Sequence, residues 1–253
     1  MVDDALRVPG KEGRAPFMEH LKELRNRILY SAISVALGLV VGMIFGNQIL
    51  ELLIKPAGKI DLVALKLIEN VSVYFQVSLM SGVILAMPSL VYQLFAFVAP
   101  GLTPREKRTI LTILPAIVFM FLLGVAFAYF IAMPAALNFL YHFNSGIAKP
   151  MISLENYISF VTRILLVIGL VFETPLIIMA LARLGVVSPK WLAARRKWWV
   201  IVAFVIAAIV TPTPDPVNQT IVAVPLILLL ELGILLARLV YKKKREQPAT
   251  ESA

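Results

Sequence analysis

Between Thr109 and Phe143 the chain runs for 35 residues without an aspartate, glutamate, lysine or arginine. No helix or strand with one face in water can be built from such a stretch, whereas a bilayer crossing takes roughly 20 apolar residues. The run reads as a membrane crossing at about residues 110–133 with a continuation beyond it, Pro134 ending the crossing. Similar runs occupy Ile28–Phe45, Val71–Val98 with Pro88 inside, Tyr157–Ala182 with Arg163 and Glu173 inside, and Trp198–Val210. A last one starts near Val217 and meets a basic tail. With 60% hydrophobic and 15% charged residues, the 253-residue chain has too few polar groups to coat a soluble globule of its size. Disordered chains, coiled coils and ordinary soluble enzymes are excluded. The expectation is an all-α integral membrane protein with six transmembrane helices.

Lysine and arginine orient it. Of the 24, 19 fall before residue 28, in the second and fourth loops and in the last stretch; Lys55, Lys59, Lys66 and Lys149 fall in the opposite loops, and Arg163 in a helix. The positive-inside rule then places both termini in the cytoplasm, in a multi-pass protein of the cytoplasmic membrane. The net charge of +9 is thus topological. It speaks of a lipid bilayer, and no aromatic-interleaved basic patch points to nucleic acid. Residues 1–16 read as a disordered cytoplasmic tail without a signal-peptide core, 17–241 as one membrane domain and 242–253 as a basic, polar cytoplasmic tail.

Phe17, Leu21, Leu24 and Ile28 recur at helical spacing, with Glu19 and Glu23 one turn apart and Arg27 one turn after Glu23. This is an amphipathic helix at the cytoplasmic interface that feeds the first crossing. Thr103-Pro104 with Glu106, Ser188-Pro189 and Asp215-Pro216 are cap-then-proline helix starts. The fifth run has 13 apolar residues, about 20 Å of helix against a hydrocarbon core of about 30 Å. The final hairpin is therefore short, and must thin the bilayer or shelter against other helices.

Glu173 is the most conspicuous charged residue. A carboxylate inside a crossing costs about 2.5–3.5 kcal/mol on insertion scales. In Phe172-Glu173-Thr174-Pro175 the proline cannot bond the Val171 carbonyl, so the helix kinks beside the acid and leaves a polar notch. Arg163 lies about 15 Å away along the helix, which disfavours an internal pair. Glu231 stands seven residues before Arg238, a spacing that pairs them along one face. The chain has no cysteine, and His20 and His142 lack metal-ligand spacing, so neither a cofactor nor a metal is expected.

Taken in order, these pieces carry a resemblance to a family. They are His20-Leu21-Lys22-Glu23-Leu24-Arg25, Pro88 through Tyr92-Gln93 to Phe97-Val98-Ala99-Pro100, and Glu106-Lys107-Arg108. Gly124 with Phe127-Ala128-Tyr129-Phe130 before Pro134, Phe172-Glu173-Thr174-Pro175, Thr211-Pro212 with Asp215 and Gln219, and Glu231 follow. The chain resembles TatC, the multi-spanning subunit of the twin-arginine protein translocase, over nearly its whole length.

The resemblance implies a concave, glove-like six-helix bundle that binds twin-arginine signal peptides of folded cargo, without covalent catalysis. It assigns the arginine pair to Glu23 and Glu106, with Leu24, Arg25 and Phe97 nearby; Glu19 is added from helical spacing alone. Two carboxylates on separate segments could each take one guanidinium bidentately, as lysine cannot. The resemblance also makes Glu173 a contact for single-span partners of the TatA and TatB type, in a complex that self-associates. It marks Pro56 in the first outer loop, and Asp215 and Gln219 near the last one. That last loop, 211–216, is richer in proline than the family pattern. The alternative is a proton-coupled secondary transporter, for which a lone acid beside a proline break is also a signature. An intramembrane hydrolase lacks a placed base and any G-x-S-x-G.

Overall fold

The structure is a computed structural model that describes residues 14–58, 61–98, 104–142, 151–183, 185–210 and 216–241. Side chains are described there except at 14–17, 19, 98, 104–111, 210, 217 and 218. The expected tails and Asp215 lie wholly or largely outside these residues. The chain is helical almost throughout: α1 (Arg14–Ile44), α2 (Gly46–Ile54), α3 (Glu69–Val98), α4 (Pro104–Phe127), α5 (Met133–His142), α6 (Leu154–Val171), α7 (Thr174–Arg183), α8 (Pro189–Ala194), α9 (Arg196–Val210) and α10 (Pro216–Val240). Two dipeptide strands, β1 (Leu62–Val63) and β2 (Ile152–Ser153), pair in parallel.

Five segments are long and apolar enough to cross a membrane: His20–Ile44, Glu69–Phe97, Thr112–His142, Leu154–Arg183 and Gln219–Val240. α9, the other arm of the last hairpin, has 15 residues, about 22 Å. The amphipathic segment expected ahead of the first crossing is continuous with it in α1, and of its stripe Leu21 and Ile28 are exposed while Leu24 is half-buried.

Two prolines behave differently. At Pro175 the disturbance goes further than the expected kink: α6 stops at Val171, Phe172 and Glu173 form a turn, and α7 begins at Thr174. Pro134 does not end its crossing, contrary to the sequence reading. Between α4 and α5 lies a π-helical turn, Ala128–Ala132, in which the Met133 amide reaches Ala128 O, five residues back. The register shift falls where Pro134 has no N–H to give, and the helix continues to His142.

α6 is the centre of the packing. Tyr157, Ile158, Val161, Ile164, Leu165 and Ile168 are buried at helical spacing against α3 and α4. The Tyr157 hydroxyl donates to Leu53 O at 2.7 Å and that of Tyr129 to Leu52 O at 2.8 Å, so carbonyls at the end of α2 find donors. α10 packs on α7 through Ile178, Ala182, Leu230, Ile234 and Ala237, and on α9 through Ala203, Ala207, Val222, Ala223 and Leu226.

α1 and α3 meet backbone to backbone. A Cβ placed on Gly42 would stand 2.5 Å from Ser78 O, and one on Gly38 would stand 2.5 Å from Gly82 O. Small residues permit this approach, and interhelical polar contacts reinforce it. Ser34 and Ser89 share a hydroxyl hydrogen bond at 2.7 Å, and Tyr74 donates to Met43 O.

At the strand end the fully buried Glu69 joins two loops. Its carboxylate accepts from Leu65 N (2.7 Å) and Lys66 N (3.1 Å) in the loop before α3, and from Ser153 Oγ and Glu155 N (both 2.8 Å) across the β1–β2 pair. Ser153 in turn caps α6 by accepting from Asn156 N. Lys66 and Glu155 form an exposed pair at 3.0 Å, and Glu155 holds the lysine ammonium above its usual range. Its small contribution is present at neutral pH and is lost only as pH rises past the raised value.

Gly42→Leu is expected to lower stability by about 3 kcal/mol, because the clash falls on backbone that cannot yield. Glu69→Ala is expected to cost about 3 kcal/mol, since it strands buried donors in two loops. Thermal unfolding in detergent measures both.

Candidate functional site

Two places gather the polar residues singled out above. The first is a corner between α1 and the end of α3. His20, Glu23 and Arg27 follow one another at steps of three and four residues on α1, with Leu24 one turn after His20, and His20 and Arg27 meet α3. The His20 ring stacks on Phe97 with centroids 4.5 Å apart. Arg27 Nη2 lies 3.4 Å from Glu23 Oε1, and Arg27 Nη1 donates to Gln93 Oε1 at 3.2 Å. Arg25 is exposed beside this face. Glu23, Leu24 and Phe97 are thus brought to one corner. Glu19 and Glu106 lie in α1 and α4, but their side chains are outside those described.

The second place is the break between α6 and α7. Glu173 is only 4% exposed, and among the described residues neither carboxylate oxygen has a well-formed hydrogen bond, although the Phe121 backbone of α4 faces it. Phe172 packs on Phe127, ring centroids 5.3 Å apart, and against Gly124. Leu176, one turn on, joins an apolar cluster with Met87, Val91, Ile113, Ile117 and Phe121. Pro175 meets Gly233 of α10. Arg163 is exposed on α6 and is not paired with Glu173.

Other expected residues are scattered. Gln219 Nε2 donates to Phe204 O at 2.9 Å and ties the α9–α10 hairpin near its loop. It stands fourteen residues, about 21 Å of helix, from Gly233, so it does not share the Glu173 notch. Pro56 sits in a short 3-10 turn, Lys55–Ala57, after α2. With Ala57, Pro134, Leu137, Tyr141 and His142 it lines a cavity of about 300 Å³. Glu231 does not pair with Arg238. It takes Arg196 instead, from α9, in a two-pronged contact of 2.6 and 2.8 Å that only the folded hairpin can bring together.

Sequence reasoning missed Gln93 and Glu69 as partners. His20 was recoverable, since it lies three residues before Glu23 and seven before Arg27. Glu69 carried the weaker sign of an acid in the first turn of a helix.

The fold and these sites define a multi-pass helical membrane protein with one acid buried and unpartnered among its apolar helices and another held at a half-buried corner. The sequence profile of the family described as Sec-independent protein translocase protein (TatC) matches residues 19–225, and the chain belongs to that family. The family is one of protein translocase subunits and is not enzymatic. The chain is 36% identical over 228 residues to the Sec-independent protein translocase protein TatC of Carboxydothermus hydrogenoformans, covering 89% of this chain and 94% of that one. It is 38% identical over 237 residues to that of Aquifex aeolicus, covering 91% and 98%. Among solved structures it is similar to a crystal structure of the twin arginine translocase receptor TatC, with a TM-score of 0.77, 36% identity, and coverage of 87% of this chain and 99% of that one. A second crystal structure of that receptor, in DDM, gives a TM-score of 0.79 at 37% identity, over 86% and 99%. Membership in this family favours protein translocation over proton-coupled transport.

An unpartnered buried polar group is a standing cost to the isolated protein. Glu173→Leu is expected to stabilise the purified chain by about 1–3 kcal/mol, read as a higher melting temperature in detergent.

Proposed function

We propose that this protein is the core receptor of twin-arginine translocation, binding twin-arginine signal peptides of folded proteins and nucleating assembly for their export. The observation that carries this reading is the α1–α3 corner, where the half-buried Glu23 carboxylate already receives a guanidinium beside the His20–Phe97 stack. A group so placed can receive an arginine from outside. Glu23 takes one arginine of the pair and Glu106, in the first turns of α4, takes the other. Leu24, Arg25 and Phe97 flank them, and Glu19 lies one turn ahead.

Glu173 serves a different encounter. A buried carboxyl group without a good hydrogen bond among the described residues gains most from a polar group on another helix. Single-span proteins of the TatA and TatB type bring that group to the notch, with Pro175 keeping the break open. Gln219 and Asp215 form a second polar contact near the hairpin loop, and Pro56 shapes the outer loop. The helices form a concave glove of six crossings in the cytoplasmic membrane with both termini cytoplasmic, α9 crossing where the bilayer is locally thin. Receptor copies associate with one another. No metal or cofactor takes part.

Glu23→Gln and Glu106→Gln are each expected to weaken binding of an Arg-Arg signal peptide at least about tenfold, the scale of losing one charge-assisted bidentate contact. Binding is measured by fluorescence titration of the purified receptor, with a Lys-Lys peptide as control. Glu173→Ala is expected to keep peptide affinity and to lose co-purification of single-span partners. Equal affinity for the Arg-Arg and Lys-Lys peptides in the unmodified receptor overturns the assignment.

A further inference from the structure

We propose that Arg27 is a resident stand-in for the cargo's arginine: it occupies Glu23 until an incoming guanidinium displaces it, and Gln93 keeps hold of it throughout. The inference rests on the reading of Glu23 as a signal-peptide acid and concerns how that acid selects its ligand.

Arg27 reaches two acceptors on two helices. One nitrogen faces Glu23 Oε1 at 3.4 Å, and the other donates to Gln93 Oε1 at 3.2 Å. Both contacts are long for a guanidinium, whose charge-assisted bonds run at about 2.7–2.9 Å. The same chain shows what a full grip looks like. Arg196 holds Glu231 through two nitrogens and both carboxylate oxygens, at 2.6 and 2.8 Å. On Glu23 the resident guanidinium touches a single oxygen, so a bidentate competitor has something to gain. The corner is also reachable, with the Arg27 and Glu23 side chains 29% and 27% exposed.

The exchange explains discrimination as well as docking. Swapping one guanidinium for another keeps Glu23 compensated in a half-buried corner. A lysine ammonium is a compact, strongly hydrated point charge that makes no fork. Against a resident arginine it gains little and must still shed water. Without the resident it would meet an unoccupied carboxylate, and ordinary Coulomb attraction would suffice. Arg27 therefore raises the threshold for every ligand and raises it most for lysine. Gln93 lowers the barrier for the authentic ligand, because the displaced guanidinium keeps one hydrogen bond to a neutral amide.

The two positions give different predictions, which a merely structural role would not. In the full-length receptor in nanodiscs, Arg27→Gln is expected to bind an Arg-Arg signal peptide about twofold to fivefold tighter, the equivalent of removing one exposed ion pair. Its affinity for a Lys-Lys peptide is expected to rise by more, so the ratio between the two narrows. Gln93→Leu removes a hydrogen bond made in both states and is expected to leave Arg-Arg affinity nearly unchanged while slowing the exchange. Unchanged or weaker Arg-Arg binding by Arg27→Gln, at an unchanged melting temperature, overturns the proposal. Where Arg27→Gln does not fold, Arg27→Lys keeps the charge without the fork and is expected to gain in the same direction; no gain overturns it equally. Glu23→Gln separates the two readings. If it binds like the unmodified receptor, the role of Glu23 itself falls. If it loses binding while Arg27→Gln gains nothing, only the stand-in falls.

Discussion

A single carboxylate fixes where two long helices begin. Glu69 is enclosed by protein and accepts from donors at 65, 66, 153 and 155, so the loop before α3 and the loop before α6 share one anchor. The two strands it fastens have only two residues each and could not hold themselves together. Once those starts are tied, α6 runs beside α3 at a set height. Its buried row from Tyr157 to Ile168 then meets α3 and α4 in register, and the Tyr157 hydroxyl arrives at the end of α2. Everything placed by α6, including the break at Phe172–Glu173, inherits that height.

Among the described residues two glutamates are buried, with opposite fates. Glu69 has four donors and is structural. Glu173 has no well-formed bond, although it is almost as enclosed. Apolar surroundings make an acid either fully satisfied or costly, and natural proteins keep the costly kind chiefly where another molecule completes it. The corner at Glu23 is a third case, half-satisfied by a long contact from its own helix.

Much of the fold was legible because it follows from local rules. The Pro175 break and the Ser188 cap, whose side chain accepts from Trp191 N, need only a few neighbouring residues. Apolar runs alone locate the five long crossings. Pro134 misled because a proline speaks for an interrupted ladder and says nothing of a widened turn that absorbs the gap. Contacts between distant segments were not legible. Ser153 lies 84 positions from Glu69, Gln93 66 from Arg27, and Arg196 35 from Glu231, and no periodicity links them. In the functional corner, the residues on one helix could be grouped from spacing, while their partners on α3 required the fold.

The contact between α1 and α3 has a mechanical consequence. Two helices whose backbones touch at Gly38, Gly42, Ser78 and Gly82 resist sliding, because an axial step brings a branched side chain such as Leu39 into a groove sized for hydrogen. They behave as one beam with the Glu23–Gln93 corner at one tip and the Met43–Tyr74 bond near the other. A load placed on either helix is therefore shared by both.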